Sequence, residues 1–217
     1  MKITLKEMVP IFVIFLMAVL AVVLYMAPCI TKIPMHWNAK GQIDGWGSKT
    51  FGSLFLPILT IVMYVLLLVL PKADPLKENY KYFEKQYYFI RLMLVLMMAG
   101  VFFFTFLAVM GFKLNIMYFM VPFLSLFFII MGLFMPKIKR NYFVGIKTPW
   151  TLQSDEVWIK THKFAGKSMT IGGVLAFFTI FLKSQAFGFF IAIVLVSALL
   201  PVVYSYLLYR RLGLFKK

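Results

Sequence analysis

VPIFVIFLMAVLAVVLYMAPC, residues 9–29, is a run of twenty-one residues without a charged side chain. About 20 apolar residues in a helix cross a hydrocarbon layer about 30 Å thick, so this stretch predicts a transmembrane helix. It also exceeds the apolar region of a cleaved signal peptide, about 7 to 15 residues, and is therefore expected to remain as a span. Five further uncharged stretches follow at residues 52–70, 92–112, 114–135, 168–182 and 187–208. The fifth is short unless residues 164–167 lengthen it, with Lys167 reaching back to the headgroups. Helices are required because lipid offers no partner to an unpaired backbone group, and the same reasoning lets Pro57, Pro122 and Pro201 sit inside spans as kinks.

Composition agrees with this reading. Hydrophobic residues make up 63% of the 217, charged residues only 14%, and there are 25 Phe, far from the average soluble domain. The expected fold is an all-α integral membrane protein, a bundle of about six transmembrane helices. No Ser/Gly-rich linker divides it. The spans group into two three-span modules, residues 1–112 with a loop at 30–51 and residues 113–217 with a loop at 136–167. Each half reads as span, long loop, span, connection, span. An odd number of crossings would invert the second half relative to the first, although the residues themselves do not repeat.

The 23 basic residues orient the chain, because Lys and Arg flanking spans are retained in the cytoplasm. With the N-terminus inside, 18 of them fall on the cytoplasmic side, including Lys2, Lys6 and Lys217, and five (Lys32, Lys40, Lys49, Lys113, Lys183) fall outside. Both termini are thus expected in the cytoplasm of a multi-pass plasma-membrane protein. The net charge of +16 is spread over all the flanking segments and forms no stripe for a groove, so it points to anionic membrane lipids rather than to nucleic acid. Cys29 alone cannot form an internal disulfide. No Asp, Glu, His, Lys or Arg falls inside the six cores, which argues against an ion-coupled carrier.

All four Trp and both His lie in two polar segments, PMHWNAKGQIDGWGSKT (34–50) and NYFVGIKTPWTLQSDEVWIKTHKFAGK (141–167). Indoles alone could mark the membrane interface, but an interfacial marker needs no accompanying His, Asn, Pro and Gly. The first segment opens with Pro34 and holds Gly41, Gly45 and Gly47, which predicts a compact series of turns. On the outer face it would present His36, Trp37, Asn38, Asp44 and Trp46, rigid aromatic area beside hydrogen-bonding groups, as suits recognition of a peptide or protein. The bland alternative is a loop that merely seals the bundle. His36 and Asp44 are too few for a zinc site, and Ser48 with them carries no hydrolase signature. Neither a metal, a cofactor nor a catalytic residue is expected.

The second segment faces the cytoplasm in this orientation. After the Lys147-Thr148-Pro149-Trp150 turn, Thr151 or Ser154 can cap a short helix whose first turn holds Asp155 and Glu156. Glu156 and Lys160 can pair across one turn. Val157, Trp158, Thr161 and Phe164 or Ala165 recur at helical spacing, with Lys160, Lys163 and Lys167 on the polar side, which predicts an interfacial amphipathic helix that floats in the headgroups or docks a cytoplasmic protein.

At these residues the chain resembles the SdpI-like membrane immunity proteins of bacteria. P-x-H-W-N-x-x-G-x-x-D-x-W-x-S-K, Pro34 to Lys49, is similar to the N-terminal module of that family, and G-I-K-T-P-W-T-L followed by E-V-W-x-K-T-H-K is similar to its C-terminal module. The resemblance covers nearly the whole chain. It implies a multi-pass protein, not an enzyme, that protects its cell from a secreted toxic peptide. It leaves open a receptor role that sequesters a cytoplasmic transcriptional repressor. On this basis Pro34, His36, Trp37, Asn38, Gly41, Asp44, Trp46 and Lys49 are the candidate toxin-binding residues. Asn141, Gly145, Lys147, Thr148, Pro149, Trp150, Glu156, Trp158 and His162 are the candidate cytoplasmic partner residues. Lys147 stands where the resemblance leads one to expect arginine, whose planar fork it lacks. A small-solute or lipid transporter with a 3+3 inverted repeat is the competing reading.

Overall fold

The computed structural model describes residues 5–216; Lys2 and Lys217, used above for orientation, lie outside the described residues. In chain order the elements are α1 (Met8–Met26), β1 (Lys32–Trp37), β2 (Ile43–Ser48), α2 (Lys49–Ala73), α3 (Glu84–Val109), α4 (Met117–Phe134), α5 (Pro149–Gln153), α6 (Asp155–Phe178) and α7 (Ala186–Arg211), with 3-10 turns in the connections at Lys77–Tyr82, Met135–Lys137 and Thr179–Gln185. Six helices among the described residues are long and apolar enough to cross a membrane: Leu5–Met26, Lys49–Ala73, Glu84–Val109, Met117–Lys137, Asp155–Leu182 and Ala186–Arg211. The protein is a multi-pass, predominantly helical membrane protein.

The first departure from expectation is at 32–48, where an antiparallel β-hairpin replaces the series of turns. Lys32 pairs with Ser48, Ile33 with Gly47, Pro34 with Trp46, His36 with Gly45 and Trp37 with Ile43, with irregularities on either side of His36. Pro34 is tolerated because a two-stranded sheet consists only of edges. Gly45 and Gly47 lie under side chains of the opposite strand: a Cβ at either would come within 2.8 Å of His36 Cβ or Met35 Cγ.

The second departure is in α6. The expected interfacial helix and the fifth span are a single helix, Asp155–Phe178, that runs without a break through Phe164–Lys167. Its side chains Val157, Trp158, Thr161, His162, Ala165, Gly166, Met169, Gly172, Gly173 and Ala176 are buried. The stripe read from the sequence is therefore real, but it packs on protein instead of resting in headgroups.

The third departure concerns charge. Arg91, read as a flanking residue, lies within α3, and its guanidinium is ion-paired with Glu7 at the start of the first span. Tyr64 of α2 donates its hydroxyl to the same carboxylate.

The described chain divides into two compact units, residues 5–69 with 89–120, and residues 70–88 with 121–216. In the first unit Met17, Ala21, Leu24 and Phe102 form a core that receives Ile33 of the hairpin. Gly52 makes room for Ile33, since a Cβ there would lie 2.6 Å from its Cβ. In the second unit Val157 packs with Leu208 and Tyr209, and small residues of α6 admit its neighbours closely. A Cβ on Gly172 would meet Ser197 Oγ of α7 at 1.9 Å, and one on Gly173 would lie 2.9 Å from the Ile129 nitrogen of α4. Small residues at helix crossings replace the hydrophobic drive that lipid removes.

Candidate functional site

The tip of the hairpin folds around Asn38, whose Oδ1 accepts the backbone N–H groups of Lys40 at 2.9 Å and Gln42 at 3.1 Å. Asn and Asp form such turns because the short side chain reaches its own backbone two residues on. Gly41 closes the turn at φ +75°, and a Cβ there would lie 1.8 Å from Asn115 Oδ1. Asn115 holds the tip from outside. Its Nδ2 donates to the Lys40 carbonyl at 2.8 Å, and its Oδ1 accepts the Met117 N–H at 2.9 Å, starting α4. At the base, Lys49 Nζ donates to the carbonyl of Ala27 at 2.6 Å.

So mounted, the hairpin leaves three candidate residues on open surface. His36 Nδ1 and Asp44 Oδ1 are 2.5 Å apart, with side chains 71% and 42% exposed, and Trp46 is 57% exposed. Trp37 is half-buried and Pro34 buried. Asn38, Gly41 and Lys49 build the turn and its mount. Asn115 was missed because it was counted inside the stretch 114–135, whereas the helix starts only at Met117 and an Asn two residues before it is an ordinary helix-start signal. Asn115→Ala removes both of its bonds and is expected to cost roughly 1–2 kcal/mol. The check is the melting temperature of the detergent-purified protein, and an unchanged value would show that this clasp adds no stability.

The second segment is built around buried polar groups. Asn141, fully buried, donates from Nδ2 to the carbonyls of Lys139 and Val144, each at 2.9 Å. Its Oδ1 accepts the N–H groups of Phe143 at 2.9 Å and Val144 at 2.7 Å. Asp74, from the preceding connection, accepts the Leu76 N–H at 2.7 Å, the Tyr142 N–H at 2.9 Å and the Tyr80 hydroxyl at 3.1 Å. Burial first, and then the Asp74 carboxylate, hold the Tyr80 phenol well above its ordinary range, so it stays a donor.

Trp158 and His162 stack at 4.0 Å and are only 2% and 1% exposed. Trp158 Nε1 donates to the Ile138 carbonyl at 2.8 Å. His162 Nδ1 faces the Trp158 carbonyl at 2.8 Å while Nε2 accepts the Ile146 N–H at 3.1 Å; these partners require the neutral Nδ1–H tautomer. Gly145 packs directly on the imidazole. Thr148 caps α5, with its backbone N–H returned to Thr151 Oγ1 at 2.9 Å, and Ser154 caps α6. Glu156 and Lys160 are ion-paired at 2.6 Å.

The cytoplasmic candidates therefore separate. Asn141, Thr148, Trp158 and His162 are buried and hold the connection together from within, with Gly145 half-buried against the imidazole, so Trp158 and His162, expected on a docking face, lie inside the protein. Lys147, Pro149 and Glu156 are exposed, and Trp150 is half-buried against Tyr206 at 5.2 Å. Among the described residues no group of three His, Cys, Asp or Glu could hold a metal ion. Cys29 is exposed and unpaired with another cysteine.

Both segments coincide with family models. Residues 137–205, from the Asn141 loop through α6 into α7, match the SdpI/YfhL protein family, and residues 11–61, which contain α1 and the hairpin, match a domain of unknown function, DUF1648. The C-terminal third of the chain is thus similar to the SdpI/YfhL family. It is also 24% identical over 209 residues to the immunity protein SdpI of Bacillus subtilis strain 168, covering 96% of this chain and 98% of that protein. No solved structure matches it. The hairpin lies in the N-terminal match, and the buried Trp158–His162 pair lies in the C-terminal one.

Proposed function

We propose that this protein is an immunity protein that protects its cell membrane from a secreted peptide toxin, with the hairpin outside and both termini in the cytoplasm. The observation that carries the reading is the hairpin itself, an exposed His36–Asp44–Trp46 face held at its tip by Asn115 and at its base by Lys49. A rigid aromatic beside polar groups recognises a partner with little ordering cost. No covalent step on the toxin is part of the proposal. The 24% identity to the Bacillus immunity protein, over nearly the full length of both chains, supports it.

The test is membrane potential in a toxin-sensitive bacterium exposed to a cannibalism-type peptide. Wild-type protein is expected to preserve the potential, and Trp46→Ala is expected to require roughly tenfold less toxin for collapse, the effect of losing a contact worth about 1.4 kcal/mol. Full protection by Trp46→Ala at wild-type membrane levels would remove the hairpin face from the mechanism. If the protein also reports toxin to a cytoplasmic repressor, the contact falls on Lys147, Pro149 and Glu156, since Trp158 and His162 are enclosed.

A transporter of small solutes or lipids is the second reading, and the buried Glu7–Arg91–Tyr64 cluster supports it, because ionisable groups within spans often mark transport pathways. Substrate-dependent flux by the wild-type protein in proteoliposomes would favour it over immunity.

A further inference from the structure

Beside the crossing of α4 and α6 runs a groove of about 870 Å³, within the range of about 300–1,000 Å³ typical of small-molecule clefts. Its floor is made by the backbones themselves: a Cβ on Gly166 would lie 2.9 Å from the Gly132 carbonyl oxygen, and one on Gly132 would lie 2.4 Å from Thr170 Oγ1. One wall is the Phe164 ring stacked on Tyr204, with centroids 4.6 Å apart. The lining also includes Lys160, Lys163, Lys167 and Ile171.

These residues are graded along one stripe of α6. Positions 160, 163, 167 and 171 recur at helical spacing, lysine at the first three and isoleucine at the last, and Ile171 is 60% exposed. At 1.5 Å per residue the stripe is about 16 Å long, charged at one end and apolar at the other. Lys160 is already held by Glu156. Among the described residues no acidic side chain pairs with Lys163 or Lys167.

We infer that this groove binds one anionic phospholipid, its phosphate at Lys163 and Lys167 and one acyl chain lying past Phe164 and Tyr204 toward Ile171. The charge complementarity selects an anion, and the graded stripe selects an amphiphile whose long axis follows the helix. The inference is independent of the toxin.

The experiment offers the detergent-purified full chain equal amounts of phosphatidylglycerol and phosphatidylcholine of the same chain length and counts retained lipid by native mass spectrometry. Wild-type protein is expected to prefer phosphatidylglycerol roughly 30-fold, the scale of two lysines beside an anionic surface. Lys163→Gln with Lys167→Gln should bring the ratio near unity. Lys77→Gln with Lys85→Gln, which removes equal charge from exposed positions elsewhere, should leave it unchanged. Ile171→Trp, which fills the apolar end with both lysines in place, should lower retention of phosphatidylglycerol. Absence of a wild-type preference, an equal loss from the Lys77 and Lys85 pair, or full retention by Ile171→Trp would each overturn the proposal.

Discussion

Arg91→Leu is expected to leave little folded protein in the membrane. The Arg91 and Glu7 side chains are 3% and 5% exposed and ion-paired, although 84 residues separate them in sequence. Removing one partner leaves a buried charge without its counter-charge and costs about 3–5 kcal/mol. Total stabilities are about 5–15 kcal/mol, so the variant loses a large part of its margin. Tyr64 cannot compensate, because its hydroxyl donates to Glu7 and a phenol does not supply positive charge. Removing both charges at once, as Glu7→Gln with Arg91→Met, keeps an acceptor for Tyr64 and an unbranched chain in place of the guanidinium stem. The double variant should recover at least half of the lost stability. Fluorescence-detected size exclusion after heating gives the midpoints, and equal stability of wild type and Arg91→Leu would show the pair to be dispensable.

Gly145→Ala is expected to be almost as damaging, through a single added methyl group. Gly145 lies at φ +115°, where a side chain is strained by roughly 1–3 kcal/mol. Its Cβ would stand 2.4 Å from His162 Nε2, the atom that accepts the Ile146 N–H. The imidazole must then shift, and a buried donor left unpaired costs about 1–3 kcal/mol more. Because His162 stacks on Trp158, near-ultraviolet circular dichroism should change with the loss of stability. Gly213→Ala is the control: its φ is +68° and nothing lies within 4 Å of the added atom, so only the backbone cost remains. Equal effects at the two positions would rule out packing on His162 as the cause.

The six spans were legible because lipid imposes a single demand, a long uncharged run, and residues 9–29 and 187–208 meet it without help from distant contacts. The hairpin was not legible, since Pro34, Gly45 and Gly47 are residues that strands usually avoid. They are permitted here because the sheet has only two strands and because the glycines make room for Met35 and His36. In α6 the periodicity was correct and its partner was not. Thr161, Ala165 and Gly166 are too small and mild to distinguish a protein interface from a headgroup layer by hydropathy. Arg91 was read as a topological signal because its partner Glu7 lies far away in sequence. For the candidate residues, spacing located the two connections, but only three-dimensional packing separates the open His36, Asp44 and Trp46 from the enclosed Trp158 and His162.

The length of α6 has a mechanical meaning. Twenty-four residues give a rod of about 36 Å, longer than the hydrocarbon layer of about 30 Å, with no proline within it and Ser154 capping its start. Such a rod has no joint between the turn that carries Asp155 and Glu156 and the glycines at 172 and 173. A tilt or piston stroke imposed at one end would carry the other with it, and a partner that grips the exposed end would sense displacement of the span rather than the shape of a loop.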